Sequence, residues 1–537
     1  MIPFPRLLVT PMPLPPTPRL RIESRPSQTK IVATIGPASS SEEQLAALLT
    51  AGVDVFRLNM AHGGPDEQII RLAAIRAASE TVGRPVAVLA DLAGPKIRLG
   101  EIAGGQLVCN AGDRLRFVRP SSLAPHPSSL TTTYEPLLDE LAIDDRVLLA
   151  DGTVSLVVEA VDPDYVQCRV VQPGVIRSRQ GVNLPGVKLS VEALSPIDRQ
   201  NAVWAAQSGI DFVGLSFVRK ADDVRQLKAL LAEHNPETQV IAKIEKPEAL
   251  THLEAIVAAA DGVMVARGDL GVEIDIARVA MAQKKIVAVC NRLRKPVIVA
   301  TQMLESMTHS RIPTRAEVAD VSNAILDGAD ACMLSGETAI GEYPREAVAM
   351  MHRIALETEK LHVDVSWEDN RRRLLGPIPK CGTAALGCAE SPRTAEGGCP
   401  TCGFWDKSLA AGSAADHNPI TEATVSAAGH IAEELGAKMV VVATASGATA
   451  LSMAKNRHFV PTLGVSDSPS TLRRMCLYWG VIPLAGAPTS DSASLLRYIT
   501  DLGRSEGLLH AGDRIVLIAG TGLAVTRHNM IVVHELG

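Results

Sequence analysis

Gln239–Glu245 has the sequence QVIAKIE and Gly262–Leu270 has the sequence GVMVARGDL, and these two neighbouring stretches decide the fold. Each begins with apolar residues rich in Val and Ile and ends in charged ones, and the residues between them are typical of a helix. Six further runs of this kind occur: Lys30–Gly36, Val53–Met60, Pro85–Leu92, Asp211–Phe217, Pro296–Met303 and Ala331–Glu337. Because eight parallel strands alternating with helices close a barrel, the sequence predicts a (β/α)8 TIM barrel.

The composition is that of an ordinary globular protein and excludes several classes. Of 537 residues, 46% are hydrophobic and 21% are charged, which argues against a disordered chain. The formal net charge of -6 argues against a general nucleic-acid binder. The longest uncharged apolar stretch, Met439–Ala454, is shorter than the ~20 residues that a membrane span needs, so we expect no membrane partner. Nine dispersed cysteines favour a reducing cytoplasm over a secreted disulfide scaffold.

Changes in pattern along the chain predict its division into domains. Between the third and fourth barrel strands, segments with alternating polar and apolar residues predict an inserted β-barrel domain, placed as a lid over the mouth. The predicted ranges are a flexible proline-rich extension at 1–28, the barrel at 29–94 and 189–360, the lid at 95–188, a linker at 361–419 and a second α/β domain at 420–537. A transit peptide is the less favoured interpretation of the extension, since its eight prolines oppose an amphipathic helix.

The linker contains four cysteines, Cys381, Cys388, Cys399 and Cys402. Four thiols with a terminal CxxC are able to bind zinc, but a structural zinc site usually has two such halves and this segment has one. We therefore expect a reduced loop, with structural zinc as the alternative.

Polar residues collect at the ends of seven of the eight predicted strands. They are Arg57 and Asn59, Asp91, Ser216, Lys243 and Glu245, Arg267 and Asp269, Thr301 and Gln302, and Ser335 and Glu337. Arg57 with Asn59, Lys243 with Glu245, and Arg267 with Asp269 are each spaced i and i+2, which places both side chains of a pair on one face of a strand. Active sites of such barrels lie at the carboxyl ends of the strands. The sequence therefore predicts a dense site of mixed charge at the barrel mouth.

Many short motifs resemble those of pyruvate kinases in order and spacing. They include TKIVATIGPAS, RLNMAHG, DLAGPKIR, GVNLPG, LSFVR, AKIEKPEA, MVARGDLGVE, ATQMLESM, PTRAEVADVSNAILDG and MLSGETAIGEYP. The resemblance covers nearly all of Thr29–Gly537 apart from one insertion. It implies a glycolytic phosphotransferase that moves the phosphoryl group of phosphoenolpyruvate to ADP, giving pyruvate and ATP through an enolate stabilised by Mg²⁺ or Mn²⁺. It also implies a homotetramer.

Two alternatives share much of this sequence. A degenerate homologue, acting as a ligand-sensing or assembly protein, would need a broken site, whereas the motif residues are present. A barrel lyase or aldolase would form an enolate without phosphoryl transfer, but the inserted lid and the region of Arg98 argue against it.

The resemblance assigns roles to residues at the mouth. It implies that Glu245 and Asp269 hold the divalent ion, which prefers oxygen ligands, and that Lys243 and Arg57 stabilise charge on the transferring phosphoryl group. Thr301 matches the threonine that relays a proton to the enolate carbon. Gly268 lies in the turn whose backbone amides receive the substrate carboxylate.

The resemblance also implies a nucleotide site and a monovalent-ion site. Asn59, His62 and Arg98 match positions that face nucleotide phosphates or the monovalent ion, and Ser335 lines the substrate site. For His62 and Ser335, capping or packing is the alternative.

Three positions depart from the family pattern. Asn59 and Asp91 match potassium ligands, but Ala61 stands where the potassium-dependent group has serine, and Lys96 in GPKIR supplies an ammonium nearby. These differences predict catalysis without potassium.

Gln180 replaces a nucleotide-contacting lysine of the lid, with Arg177 or Arg179 as possible substitutes. In the last domain, 444–449 resembles a phosphate-binding turn or is an ordinary strand-to-helix turn.

Overall fold

The computed structural model describes residues 27–119, 129–150, 152–187, 189–190, 192–364, 419–520 and 530–537. Nearly all of the predicted extension and the four linker cysteines, Cys381, Cys388, Cys399 and Cys402, lie outside the described residues. Within the described ranges, no helix combines the length and the apolar character required to cross a bilayer.

The first part of the barrel alternates strands and helices as predicted. Its elements are β1 (Lys30–Thr34), α1 (Glu42–Ala51), β2 (Val55–Asn59), α2 (Pro65–Val82) and β3 (Ala87–Asp91), with a short 3₁₀ turn at Pro37–Ser39. Ser41 caps α1, and the Gln44 side chain completes the capping box. Gly52 ends the helix with a φ of 128°, a conformation that only glycine adopts readily.

The inserted domain follows β3 and consists mainly of antiparallel strands. Its elements are β4 (Gln106–Cys109), β5 (Arg114–Val118), β6 (Ser129–Leu130), α3 (Leu137–Glu140), β7 (Arg146–Leu149), β8 (Val154–Val161), β9 (Tyr165–Gln172), β10 (Gly174–Arg177) and β11 (Val182–Asn183). In the described residues they form a curled six-stranded sheet of order β11-β7-β8-β9-β5-β6 and a β10-β4 pair. A separate apolar core fills this domain, as expected for a unit that folds around its own centre.

The chain then completes the barrel. The elements are α4 (Pro196–Gln207), β12 (Phe212–Leu215), α5 (Ala221–Ala232), β13 (Gln239–Ile244), α6 (Pro247–Thr251), α7 (Leu253–Ala259), β14 (Gly262–Ala266), α8 (Arg267–Glu273), α9 (Ile276–Arg292), β15 (Val297–Ala300), a 3₁₀ turn at Glu305–Thr308, α10 (Arg315–Leu326), β16 (Ala331–Leu334), α11 (Gly336–Ala339) and α12 (Pro344–Asp364). The parallel order β1-β16-β15-β14-β13-β12-β3-β2 is closed, which confirms the predicted barrel.

The last domain is a second α/β unit. Its elements are α13 (Pro419–Glu434), β17 (Met439–Ala443), α14 (Ala448–Asn456), β18 (Thr462–Val465), α15 (Pro469–Met475), β19 (Val481–Leu484), α16 (Ser492–Ser505), β20 (Arg514–Ala519) and β21 (Met530–Glu535). The sheet order is β19-β18-β17-β20-β21, and β21 is antiparallel. Apolar residues of this domain join the cluster that fills the barrel interior. Lys455 reaches Asp330, which directly precedes β16, so the domain docks at the amino end of the strands and leaves the opposite mouth to the site.

Candidate active site

An ion-pair network joins three strands at the carboxyl end of the barrel. Asp91, the last residue of β3, receives Nε and Nη2 of Arg57 on its Oδ2 atom, each at 2.7 Å. Its Oδ1 atom lies 3.2 Å from Nζ of Lys243, which projects from β13. Arg57 also donates to the Thr34 hydroxyl at 3.1 Å. The network therefore fixes two cationic groups around one buried carboxylate.

Lys243 occupies the centre of this network. Its ammonium lies 2.8 Å from the Ser216 hydroxyl and 2.8 Å from Oε1 of Glu245. Burial opposes the charge, but the carboxylates of Asp91 and Glu245 more than offset it and raise the pKa of Lys243. The site thus contains a permanently charged, largely desolvated ammonium at the mouth.

Asp91, for which the resemblance implied a monovalent-ion position, pairs with two cationic side chains of the protein. Burial disfavours its charged form, yet Lys243 and Arg57 together lower the pKa of Asp91. Asn59 is its register neighbour on β2, and the Asn59 side-chain oxygen accepts the Ala61 amide at 3.1 Å. Both predicted ion ligands are therefore brought together, but Asp91 already faces two protein cations.

The charges of Glu245 and Asp269 act on each other at this end of the barrel. The pKa of Glu245 is raised, because burial and the nearby charge of Asp269 outweigh the opposite effect of Lys243. Oε2 of Glu245 accepts the backbone N–H of Phe217 at 2.9 Å. A divalent cation relieves repulsion of this kind, and carboxylate oxygens suit Mg²⁺ and Mn²⁺. Glu245 and Asp269 therefore have the ligand chemistry that such an ion requires. Among the residues described, no group of three or more His, Cys, Asp or Glu side chains is arranged for a metal, so substrate oxygens and water would complete its coordination.

Thr301 and Gly268 meet beside this carboxylate pair. The Gly268 N–H donates to the Thr301 hydroxyl at 2.8 Å, and that hydroxyl donates to the Ala300 carbonyl at 2.7 Å. Thr301 and Gln302 have φ values of 68° and 53°. A β-branched residue rarely adopts a positive φ, and such strain is found where surrounding structure holds a functional group in place.

Arg267 and Asp269 do not share a strand face, and this prediction was wrong. β14 ends at Ala266, so both residues lie in the first turn of α8. Arg267 turns away: its Nη1 pairs with Asp320 at 2.6 Å, and its Nη2 donates to the Thr301 carbonyl at 2.8 Å. The chain enters α8 directly after Ala266, and the Gly268 amide of that helix contacts the Thr301 hydroxyl.

Ser335 and Glu337 follow β16 at the same end of the barrel. Glu337 is buried, which raises its pKa, and its carboxylate accepts the N–H groups of Ser335 at 2.7 Å and Leu304 at 3.0 Å. Glu337 thus ties the loops after β15 and β16 together, while Ser335 is half-buried.

The predicted nucleotide residues lie at the rim. His62 is exposed, and its carbonyl accepts the Gln68 side chain at 2.7 Å. Arg98 lies in the segment that enters the inserted domain and donates to the Arg179 carbonyl at 3.2 Å. Gln180 accepts the Arg177 N–H at 2.6 Å and so closes a turn of that domain.

Lys96 and Arg179 face different surroundings. Lys96 is exposed and lines a cavity between the inserted domain and the barrel, together with Phe217 and Lys246. Arg179 pairs with Glu101 at 2.6 Å on an exposed surface.

One buried pair of this region was missed from sequence. Lys246, which follows Glu245, pairs with Glu273 of α8 at 2.6 Å. Two features of the sequence indicate the pair: Lys246 follows Glu245, and Glu273 lies four residues, or about one helical turn, after Asp269.

Comparisons with known proteins place the whole chain in one family. The model of the pyruvate kinase barrel domain matches residues 26–348, and that of the pyruvate kinase alpha/beta domain matches residues 422–534. A pyruvate kinase of Geobacillus stearothermophilus is 38% identical over 515 residues, which are 95% of this chain and 80% of that protein. Pyruvate kinase 2 of Synechocystis is 40% identical over 507 residues, which are 92% of this chain and 77% of that protein.

A solved structure is also similar to this chain over nearly its whole length. The crystal structure of a pyruvate kinase from Cryptosporidium parvum superposes with a TM-score of 0.81 at 30% identity and covers 95% of this chain and 96% of its own. The chain therefore belongs to the pyruvate kinase family.

Proposed function

We propose that the barrel mouth catalyses transfer of the phosphoryl group of phosphoenolpyruvate to ADP and then protonation of the enolate to pyruvate. The observation that carries this assignment is the Lys243 ammonium, held between Asp91 and Glu245 at the carboxyl end of β13. A fixed cation in a desolvated mouth stabilises negative charge that moves from the phosphoryl group to the enolate oxygen.

Lys243 and Arg57 act on the phosphoryl group itself. Lys243 is anchored by Ser216 and two carboxylates, and Arg57 is anchored by Asp91 and Thr34, so neither must reorganise when charge develops. Phosphoryl transfer depends mainly on positioning and electrostatic stabilisation, which is what such preorganised cations supply.

Glu245 and Asp269 would hold Mg²⁺ or Mn²⁺. A bound divalent cation supplies Lewis-acid charge to phosphate and carboxylate oxygens of the substrate. Two features of the chain support this assignment: Phe217 orients Glu245 through its N–H, and Asp269 lies in the first turn of α8.

Thr301 relays the proton that converts the enolate to pyruvate. Its hydroxyl donates to the Ala300 carbonyl and accepts from Gly268, so rotation of one O–H bond redirects the proton to the substrate. A hydroxyl of ordinary acidity passes on a proton that it receives from elsewhere. Gly268 lies in the turn that receives the substrate carboxylate, and Ser335 lines the substrate site.

The nucleotide binds between the barrel and the inserted domain. Asn59, His62 and Arg98 contact the phosphates of ADP or ATP from the rim. The chain works as a homotetramer, as the family resemblance implies. We place it in the cytoplasm, and the five cysteines of the described residues, all free and buried, support a reducing compartment.

Catalysis does not need potassium. Asp91, which matches a potassium ligand, already pairs with Arg57 and Lys243, and Lys96 adds a further cation at the adjoining cavity. Arg57 and Lys243 thus supply positive charge at Asp91, where the potassium-dependent group has the ion.

Pyruvate release from phosphoenolpyruvate and ADP with Mg²⁺ tests the assignment, with sodium or potassium as the sole monovalent cation at matched ionic strength. Wild type is expected to be active in sodium, and Lys243→Met is expected to lose about 10³-fold or more in turnover while remaining folded. A tenfold stimulation by potassium would refute the potassium proposal alone. No activity in either salt, with folding and Mg²⁺ binding established, would favour a degenerate homologue.

A further inference from the structure

We propose that Lys246 and Glu273 form a positioning pair that fixes the spacing of Glu245 and Asp269 and joins this spacing to the inserted domain. The inference rests on the proposed function, because it takes Glu245 and Asp269 as the holders of the divalent ion. Neither residue of the pair is assigned a contact with substrate.

The pair itself is short and buried. Nζ of Lys246 lies 2.6 Å from Oε1 of Glu273, and the two side chains are 13% and 2% exposed. A buried charge of this kind is costly unless it is paired, so each side chain restricts the other to a narrow range of positions.

Lys246 is connected to Glu245 in two ways. The residues are consecutive at the end of β13, and the Lys246 ammonium also lies 5.4 Å from the centre of the Phe217 ring. Phe217 donates its backbone N–H to Glu245, and it does so with a φ of 56°. The lysine therefore braces the strained residue that orients this carboxylate.

Glu273 is connected to Asp269 through α8. The two residues stand at the last and third positions of the same short helix, four residues apart, and so share a face. The ion pair between Glu273 and Lys246 fixes the position of α8 relative to the end of β13. That placement determines the separation between Asp269 and Glu245.

Asn183 extends the connection to the inserted domain. It is the final residue of β11, in the segment that returns to the barrel, and its buried side-chain amide donates to Oε1 of Glu273 at 3.4 Å. The same oxygen therefore receives one contact from the barrel and one from the inserted domain. Movement of that domain is transmitted to the helix that carries Asp269.

Lys246→Met removes the charge and keeps an apolar side chain of similar length. Residues that orient metal ligands typically change metal affinity or activity by 10- to 100-fold when mutated. We expect the dissociation constant of Mn²⁺, measured by electron paramagnetic resonance without substrates, to rise about tenfold, with a similar fall in kcat. Glu273→Gln is expected to do the same, and the double variant to add little to either, because both changes break one contact.

Lys228→Met is the matched control. Lys228 pairs with Asp261 at the same 2.6 Å, but Asp261 precedes β14 at the end of the barrel opposite the mouth. This variant should bind Mn²⁺ and turn over as wild type does. Lys246→Arg should recover most of the Mn²⁺ affinity, because a guanidinium preserves the ion pair with Glu273.

Mn²⁺ affinities of Lys246→Met and Glu273→Gln that stay within about twofold of wild type would overturn the inference, since a positioning role requires an effect on the metal. If Lys246→Met does not fold, Glu273→Gln decides the matter, because it removes the charge of the ion pair and keeps the size of the side chain. If wild type forms no pyruvate, the proposed function fails, whereas the Mn²⁺ measurement still tests the pair.

Discussion

Replacing Asp330 by Asn should weaken the docking of the last domain onto the barrel. The Asp330 carboxylate is fully buried and pairs with Lys455 at 2.5 Å and with Arg457 at 3.0 Å, while Oδ2 also accepts the Val297 N–H at 2.7 Å. Asparagine retains the shape and one acceptor but removes the charge. Lys455, 1% exposed, is then left as a buried cation without a counter-ion.

The expected cost follows from these contacts. Removing one partner of a buried ion pair costs about 3–5 kcal/mol. Lys455 keeps the Asn291 side-chain oxygen at 2.9 Å, and Arg457 keeps the Gly328 carbonyl at 2.6 Å. Since both cations retain a neutral acceptor, we expect the lower end, about 3 kcal/mol, which is more than roughly 100-fold in the equilibrium.

The dependence on pH gives a second signature. Burial lowers the pKa of Lys455 to about 8, against a partly compensating effect of Asp330. Without Asp330 the pKa lies lower still. Between that lower pKa and about pH 8, Lys455 is deprotonated in the folded variant but keeps its proton in folded wild type and in both unfolded chains. In this pH range the stability of the variant therefore rises with pH, whereas that of wild type does not. The deficit should shrink up to pH 8 and stay constant above it.

Urea titrations followed by tryptophan fluorescence measure this effect, because the Trp479 ring packs 4.7 Å from the Arg457 guanidinium at the same interface. Glu535→Gln is the control: it breaks the exposed Arg514–Glu535 pair and should cost less than about 1 kcal/mol. A deficit for Asp330→Asn below about 1 kcal/mol, or one that grows with pH, would refute the reasoning.

Two further predictions concern the mouth and its first loop. Thr301→Ala should lower pyruvate formation by about 10- to 100-fold, because the relay hydroxyl is lost. It should also slow the exchange of the pyruvate methyl protons with solvent, which nuclear magnetic resonance measures. Thr301→Ser should restore both rates, and an unchanged exchange rate in Thr301→Ala would exclude the relay. Gly36→Ala should lower the free energy of unfolding by about 1–3 kcal/mol, because its Cβ would stand 2.4 Å from the Ala339 carbonyl oxygen. Gly64→Ala is the control in thermal unfolding, since Gly64 has a φ of -81° and nothing within 4 Å of an added Cβ; equal stability of the two variants would contradict this account.

The barrel could be predicted because its evidence is local. Each strand is a short apolar run, seven of the eight runs have polar residues at their carboxyl ends, and the repeat of strand and helix occurs eight times. Lys243 and Glu245 could be paired for the same reason, since a strand places residues i and i+2 on one face. The structure confirms the closed order of strands. It also shows where the local rule fails: β14 ends at Ala266, so Arg267 and Asp269 follow helical geometry.

Contacts between distant segments were decided only by the tertiary structure. The sequence by itself determined the repeat of strands, the end of each strand that carries the chemistry, and the kinds of residues found there. It did not determine that Asp91 faces Lys243 or that Asn183 and Lys246 meet on Glu273. The physical reason is that local periodicity fixes which face a side chain leaves, whereas its partner depends on barrel closure and on the register between strands.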